Sequence, residues 1–493
     1  MRGMFEPSRA QGAPIVSASA SVQPRTSPVE PLRLIGLYAA TAITVGNIIG
    51  SGIFRSPHSV AQELPTLPLV LLAWVVGGVL SICGSLVLTE LAVRSPKTGG
   101  LYVYIRESFG DAWAFTFGWA NLWVIKPTVI ASITSVFALY FCQVMGWGHA
   151  SEFAVGCIAI FLLTFVNWLG VREGAGTQSL FTTAKLLGIL VLCVCAFTLP
   201  SVHAAGAAET PAVAGNAGHG VVQALALAMI TILFAYDGWT DSTYVAGEVV
   251  NPQRTMPIAI LGGTWLVVGV YILTNLAYYH VLSPNEVASY QAVGSETIHR
   301  LLGDWGARAL AVLVAVSTFG TTNGAILTGP RVTQAAAADG LLWKPLAALH
   351  PKRESPATAL WIQAVLSCLW LWAAGGFEDV SGWFVTTSWL FYGVTTACIF
   401  VQRARESRGE LQPASYRTPL HPLPAIVFLA VTAVIIWSDF SSSEHFSIPN
   451  QNGTTTTTPI PRAMAGVLIA ATGFPVYYLV RGRRGAAARA TGG

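Results

Sequence analysis

The stretch that decides the fold reads V-G-N-I-I-G-S-G-I-F at residues 45–54, inside the first apolar segment of the chain. Three of these ten residues are glycine. Each glycine costs roughly 1 kcal/mol against alanine in a helix interior. We therefore expect the helix to stop at Ile48 or Ile49 and to restart after Gly52.

An interrupted membrane helix exposes unpaired carbonyl groups on one side of the gap and unpaired N–H groups on the other. Hydrocarbon cannot satisfy these groups, so the gap must face protein, water or a ligand. The N–H end suits a carboxylate and the carbonyl end suits an ammonium group, so one gap offers both poles to a zwitterion. The alternative is a glycine-lined surface that allows close helix packing.

The composition places the whole chain in a membrane. Of its 493 residues, 53% are hydrophobic and only 10% are charged, whereas soluble domains carry about 25% charged residues. Twelve apolar runs approach the length of about 20 residues that crosses a bilayer. These runs predict an all-α polytopic membrane protein with twelve transmembrane helices, at residues 34–57, 67–91, 109–142, 153–170, 179–199, 221–247, 257–282, 306–334, 357–374, 379–402, 422–440 and 463–480.

The distribution of lysine and arginine predicts the orientation. With both termini in the cytoplasm, 21 of these residues lie in cytoplasmic loops and tails and three lie outside. Positive residues are retained on the cytoplasmic side, so this orientation is expected. The net charge of +4 reflects the same sidedness and gives no reason to expect a nucleic acid partner. The seven cysteines have no zinc spacing, and we expect no disulfide framework, metal or cofactor.

The sixth apolar run repeats the anomaly of the first. It contains F-A-Y-D-G-W-T-D at residues 234–241, and an intramembrane carboxylate such as Asp237 indicates a functional site. Alternatively, Asp237 caps the end of a helix at the break. A functional role and a capping role are compatible. The interrupted runs are the first and the sixth along the chain. This spacing is typical of two copies of one five-helix unit inserted with opposite orientation, here residues 34–199 and 200–402. Residues 403–480 then add two helices, between a disordered tail at 1–33 and a basic tail at 481–493.

Two lysines lie within apolar runs. Lys126 precedes Pro127 in the third run, and a lysine there costs about 2.5–3.5 kcal/mol on insertion scales, so it should face the interior. Lys126 could contact the substrate, or it could form a structural pair with another residue. Pro127 should kink the helix. Lys185, in the fifth run, is a candidate for ion or proton coupling. The loop at residues 101–108 should form an interfacial helix, which could act as a cytoplasmic gate or as a plain connector. The loop at residues 441–462 should be disordered.

Further motifs follow the interrupted stretch in order: K-T-G-G-L-Y-V-Y, F-A-Y-D-G-W, L-T-N-L-A-Y-Y and F-G-T-T-N-G. With them the chain resembles the amino acid–polyamine–organocation superfamily and, within it, the L-type amino acid transporters. The resemblance implies a LeuT-like fold, with ten spans in a 5+5 inverted repeat and two additional helices. It also implies a sodium-independent amino acid carrier that works by alternating access in the plasma (inner) membrane.

The resemblance also implies a binding site at the two interrupted spans. The substrate carboxylate would bind the backbone of Gly50, Ser51 and Gly52, and carbonyls of the first and sixth spans would bind its amine. Lys185 would stand where relatives place a sodium ion, and Phe234 would be the outer gate. The remaining candidate site residues are Asn47, Ile48, Ala235, Tyr236, Asp237, Trp239 and Lys126.

Departures from the family pattern bear on substrate and partner. Members with an aspartate at the position of Asp237 resemble carriers of cationic as well as neutral amino acids, or of serine and threonine. The loop 145–153 has no cysteine, so no disulfide-linked heavy chain is expected. A proton-coupled symporter that uses Lys185 and an amine carrier are the alternatives, and a sensor or channel is more distant. The sequence has no nucleophile motif or nucleotide loop, so we do not expect an enzyme.

Overall fold

The computed structural model describes residues 33–64, 66–200, 221–373, 377–441, 445–449 and 455–480. Apart from Arg33, the predicted terminal tails lie outside these residues. The α-helices, in chain order, are α1 Leu37–Ile48, α2 Gly52–Glu63, α3 Leu67–Arg94, α4 Leu101–Phe109, α5 Asp111–Ala120, α6 Lys126–Met145, α7 Glu152–Leu169, α8 Val171–Thr198, α9 Val221–Ala235, α10 Asp241–Tyr244, α11 Pro252–Pro257, α12 Gly263–Val281, α13 Pro284–Ser289, α14 Val293–Ala338, α15 Ala357–Ala373, α16 Phe377–Ser407, α17 Leu423–Ser441 and α18 Arg462–Ala471.

Shorter helical turns join some of these elements. They are π-helices at Asn121–Ile125 and Ile258–Gly262 and 3₁₀-helices at His149–Ser151, Ala246–Glu248 and Lys344–Ala347. The long α14 is two helices joined at Gly303, whose φ of +67° lies in the left-handed region. The helix predicted over residues 101–108 is present as α4.

Among the described residues, eight helical segments are long and apolar enough to cross a membrane: Leu37–Glu63, Leu67–Arg94, Asp111–Met145, His149–Leu169, Val171–Thr198, Pro252–Val281, Val293–Ala338 and Trp383–Ser407. Four shorter apolar helices accompany them, at Gln223–Ala235, Ala357–Ala373, Leu423–Ser438 and Gly466–Val480. Each apolar run predicted from the sequence overlaps one of these segments, and the number of twelve membrane spans stays a prediction.

Two segments occupy the middle of the bundle. The most apolar stretches of Leu37–Glu63 and Val293–Ala338 are each 78% buried, against 33% for Val171–Thr198. The last of these exposes large apolar side chains such as Leu180 and Leu187, as contact with lipid requires. The interrupted first segment is therefore an interior element, and its unpaired backbone groups face protein rather than lipid.

The helix type changes at the lysine–proline pair of the third run. The π-helix Asn121–Ile125 ends where α6 begins at Lys126. Pro127 has no N–H to give the carbonyl four residues earlier, that of Trp123. The indole N–H of Trp370 donates to this carbonyl at 2.8 Å and replaces the missing bond.

The prediction of disorder over the outer loop 441–462 is wrong for the part that is described. Strands β1 His445–Pro449 and β2 Thr455–Pro461 pair antiparallel, with Ser447 opposite Thr457. The threonine run favours this outcome because β-branched residues are enriched in strands. Apart from this hairpin and the single bridge between Ile35 and Val249, the described chain is helical or irregular.

The segment before α1 runs beside the end of the sixth segment. The N–H groups of Leu34 and Ile35 both donate to the carbonyl of Glu248, at 2.8 and 2.9 Å. The carboxylate of Glu248 binds the guanidinium of Arg331 in α14 through bonds of 2.8 and 3.1 Å, and both side chains are buried. These contacts join the segment before α1 to the end of the sixth segment and to α14.

Candidate functional site

The predicted interruption of the first segment is present. Helix α1 ends at Ile48 and α2 begins at Gly52. Within the described chain, the N–H groups of Ser51, Gly52 and Ile53 find no carbonyl partner. The hydroxyl of Ser51 is likewise buried with no hydrogen-bond partner there. Unpaired donors at a helix start form a site that suits a carboxylate.

Lys185 satisfies the carbonyl side of this gap. Its ammonium donates to the carbonyls of Gly46 at 2.9 Å and Ile49 at 2.6 Å. It also donates to the hydroxyl of Thr321 at 2.7 Å, and Thr321 reaches the same two carbonyls. Lys185 is fully buried, so its ammonium does not reach the membrane surface. The ammonium occupies a cage of backbone oxygens of the kind that holds a small cation.

The sixth segment is interrupted as well. Helix α9 ends at Ala235, and α10 begins at Asp241 after an irregular turn. In this turn Gly238 has a φ of +120°, a conformation that side-chain-bearing residues rarely adopt. The carbonyl of Phe234 accepts the N–H of Asp237 at 3.2 Å.

The two interruptions lie against each other. A Cβ added at Gly52 would lie 2.6 Å from the Cα of Ala235, and one added at Gly238 would lie 2.7 Å from the nitrogen of Ile48. The hydroxyl of Tyr271 is 2.9 Å from the carbonyl oxygens of both Ile48 and Ala235. The carbonyl of Ile48 also accepts the N–H of Gly50 at 2.9 Å. One hydroxyl proton cannot fully satisfy two carbonyls, so the carbonyl of Ala235 keeps capacity to accept a further donor.

The side chains predicted to line the site from the sixth segment point to different places. Asp237 accepts the hydroxyl of Tyr392 at 2.8 Å, and the ring of Trp239 contacts the same tyrosine. Tyr236 instead donates to the carbonyl of Trp74 at 3.2 Å, inside an aromatic cluster. Tyr236 therefore supports the packing beneath the gap with its side chain.

Phe234 packs edge-on against Phe384, with 6.1 Å between ring centroids. Phe234 is the second-last residue of α9, directly before the turn that interrupts the sixth segment. The role of Phe234 as an outer gate stays a prediction.

Lys126 is buried as predicted, and its partner is a residue that the sequence analysis did not single out. Its ammonium lies 2.7 Å from the carboxylate of Asp241, and both side chains are at least 90% buried. The side-chain amide of Asn47 donates to the other carboxylate oxygen at 2.6 Å, and the hydroxyl of Thr328 lies 3.2 Å from it. Asp241 stands in the F-A-Y-D-G-W-T-D stretch, so a second intramembrane carboxylate was the available signal.

The arrangement offers groups that can bind a zwitterion. Within the described residues, no group of three or more His, Cys, Asp or Glu side chains is placed to hold a metal ion. The site offers N–H donors at one gap, partly satisfied carbonyls where the gaps meet, and one carboxylate, Asp237, that the described lysines do not pair.

A family model described as an amino acid permease matches residues 35–470. The serine/threonine exchanger SteT of Bacillus subtilis is 30% identical over 453 residues, 91% of this chain and 97% of the relative. The b(0,+)-type amino acid transporter 1 of Homo sapiens is 34% identical over 398 residues, 80% of each chain. The Asc-type amino acid transporter 1 of Mus musculus is 32% identical over 461 residues, 90% of this chain and 80% of the relative.

These relatives are amino acid transporters, and one of them is an exchanger by name. The matches cover both interrupted segments and most of the helices between and after them. The resemblance stated from the motifs is confirmed. The chain is an integral membrane protein that belongs to the amino acid permease family, within the amino acid–polyamine–organocation superfamily.

Proposed function

We propose that this protein is a sodium-independent amino acid transporter, an exchanger or facilitator that carries neutral and cationic L-amino acids by alternating access. The substrate carboxylate binds the backbone of Gly50, Ser51 and Gly52. Its ammonium binds carbonyls near the contact between the two gaps, and its side chain reaches toward Asp237. The remaining residues proposed for the site are Asn47, Ile48, Phe234, Ala235, Trp239 and Lys126.

The contact between the two interrupted segments is the observation that carries this proposal. Backbone donors without partners at Ser51 and Gly52 lie beside the carbonyl of Ala235, which shares the hydroxyl donor of Tyr271 with the carbonyl of Ile48. Donors and acceptors so placed match the two charged groups that all amino acids share. The positions of the gaps in the first and sixth segments support an architecture of twelve spans with a 5+5 inverted repeat.

Lys185 supports independence from sodium. Its ammonium already holds the carbonyls of Gly46 and Ile49, so a sodium ion would compete with a fixed positive charge for the same oxygens. The charge distribution of the loops supports cytoplasmic termini, and we place the protein in the plasma (inner) membrane. The absence of cysteine from residues 145–153 supports a carrier without a disulfide-linked heavy chain.

Uptake into proteoliposomes tests the mode of transport. Purified protein is reconstituted, and uptake of a labelled amino acid is measured with and without internal unlabelled amino acid. We expect saturable uptake without sodium that internal amino acid accelerates. Uptake driven by a pH gradient into empty vesicles would instead support a proton symporter, and flux that does not saturate would support a channel.

The backbone donor at Ser51 can be removed with little other change. Ser51 has a φ of −81°, close to the value that proline requires, so Ser51→Pro deletes the N–H with modest strain. Ser51→Ala is the matched control, because it removes only the hydroxyl. We expect Ser51→Pro to abolish exchange and Ser51→Ala to retain it. Equal activity of the two variants would show that this N–H does not bind the substrate.

A further inference from the structure

The buried pair of Lys126 and Asp241 joins a chain of side-chain hydrogen bonds that crosses the bundle. Beyond Asn47, which donates to Asp241, the amide of Gln178 donates to the oxygen of Asn47 at 3.1 Å. The amide of Asn323 donates to the oxygen of Gln178 at 3.2 Å. The chain ends at Asn167, whose amide donates to the oxygen of Asn323 at 2.8 Å, and all these side chains are buried.

Every amide in this chain points the same way. The donor end of each faces the next acceptor, and the last acceptor is the carboxylate of Asp241. Aligned hydrogen bonds polarise one another, and here they place positive ends toward a negative group. Both oxygens of Asp241 also face nitrogen donors, from Lys126 and Asn47, so neither oxygen is placed to carry a proton.

The pair lies beside the proposed substrate site. Asp241 begins α10, directly after the turn that interrupts the sixth segment. Its carboxylate binds Asn47, the second-last residue of α1 before the other gap. The charges of Asp241 and Lys126 cancel at 2.7 Å, so neither of them is left unpaired beside the site.

We propose that Asp241 determines the charge selectivity of the carrier: by pairing with Lys126, it prevents this lysine from binding the side-chain carboxylate of acidic amino acids. The inference rests on the proposed function. Without Asp241, Lys126 would lose the carboxylate that it contacts at 2.7 Å, and the side chain of glutamate could take the place of that carboxylate. Buried charges require a partner, so the gain in binding should be large.

The test measures competition by the twenty amino acids against a labelled neutral substrate in proteoliposomes. Asp241→Ala removes the counter-charge and leaves space for a carboxylate, and we expect glutamate or aspartate to compete at least about tenfold better than with wild type. Lys126→Met removes the positive charge and leaves the carboxylate of Asp241 without its cation. Lysine and arginine should then compete better relative to neutral amino acids. Thr328→Val is the matched control, because it removes a neutral contact with Asp241 and should keep the wild-type profile.

A second measurement does not require transport. Stabilisation of the purified variants by glutamate is read from their melting temperature in detergent, where a ligand that binds the folded state raises it. Stabilisation of Asp241→Ala but not wild type supports the inference. The inference is overturned if both single variants show the same competition by the twenty amino acids as wild type and the same change of melting temperature with glutamate.

A double variant keeps the test decisive if neither single variant folds. Lys126→Met with Asp241→Ala carries no unpaired charge at this place, so it should fold. Rejection of glutamate by the double variant supports the inference, and a gain of glutamate binding overturns it, because no cation remains. If wild-type protein takes up no amino acid, the proposed function fails as well. If wild type exchanges neutral amino acids and only the predicted shifts are missing, the inference alone fails.

Discussion

Substitution of Gly52 by alanine tests the contact between the two interrupted segments. An alanine Cβ at this position would lie 2.6 Å from the Cα and 2.7 Å from the Cβ of Ala235. Carbon atoms in contact are normally about 3.5–4.0 Å apart. One of the contacting atoms belongs to the backbone, so a change of rotamer cannot relieve the overlap. The two segments must therefore separate by about 1 Å.

The size of the effect follows from this displacement. Alanine gains roughly 1 kcal/mol over glycine in helix propensity, but overpacking costs about 1–3 kcal/mol. The fold can therefore survive, with its two gaps farther apart. Displacement of a binding geometry by about 1 Å lowers turnover by about a hundredfold. We expect Gly52→Ala to insert normally and to exchange amino acids about a hundredfold more slowly than wild type.

Initial rates of exchange in proteoliposomes, at equal protein content, measure this loss. Gly269→Ala is the matched control, because Gly269 lies in α12 and an added Cβ there meets nothing within 4 Å. It should retain the wild-type rate within about twofold. The double variant Gly52→Ala with Ala235→Gly should recover only part of the rate, because the contact with the Cα remains. Exchange by Gly52→Ala within about threefold of wild type would refute the proposed contact between the gaps.

Three other substitutions test separate parts of the account. Asp237→Asn should weaken competition by lysine and arginine more than competition by neutral amino acids, and an equal loss for both would remove its role in selecting cations. Lys185→Met should lower exchange at least about tenfold, because buried carbonyls at the first gap lose their main donor; an unchanged rate would contradict this role. Glu248→Gln should destabilise the protein by about 3–5 kcal/mol, since it leaves Arg331 as a buried unpaired charge. Melting temperature in detergent measures the last effect, and the double variant with Arg331→Met should melt closer to wild type.

The apolar runs and the glycine clusters predicted much of the fold. Helices in a membrane need long apolar stretches, so their positions follow from composition alone. The gaps after Ile48 and Ala235 were predictable because glycine and polar residues are costly inside such stretches. The paired strands at 445–449 and 455–461 were missed because asparagine, glycine and threonine together also suit an irregular loop.

The partners of the charged residues could not be predicted in the same way. Lys126 and Asp241 are 115 residues apart, and no periodicity in the sequence relates them. Thr321 and Gln178 were missed for a related reason. A threonine or glutamine in an apolar helix can bond its own backbone, as Thr321 also does with the carbonyl of Ser317. Only the packing of α8 and α14 beside the first gap shows their second partners.

The position of a bound amino acid is the most direct test of the account. A cryo-EM map of the protein with a saturating neutral substrate would show it. We expect the carboxylate within hydrogen-bond distance of the N–H groups of Ser51 and Gly52, and the ammonium beside the carbonyls of Ile48 and Ala235. Density for the substrate away from both gaps, with these donors still without a partner, would contradict the central claim.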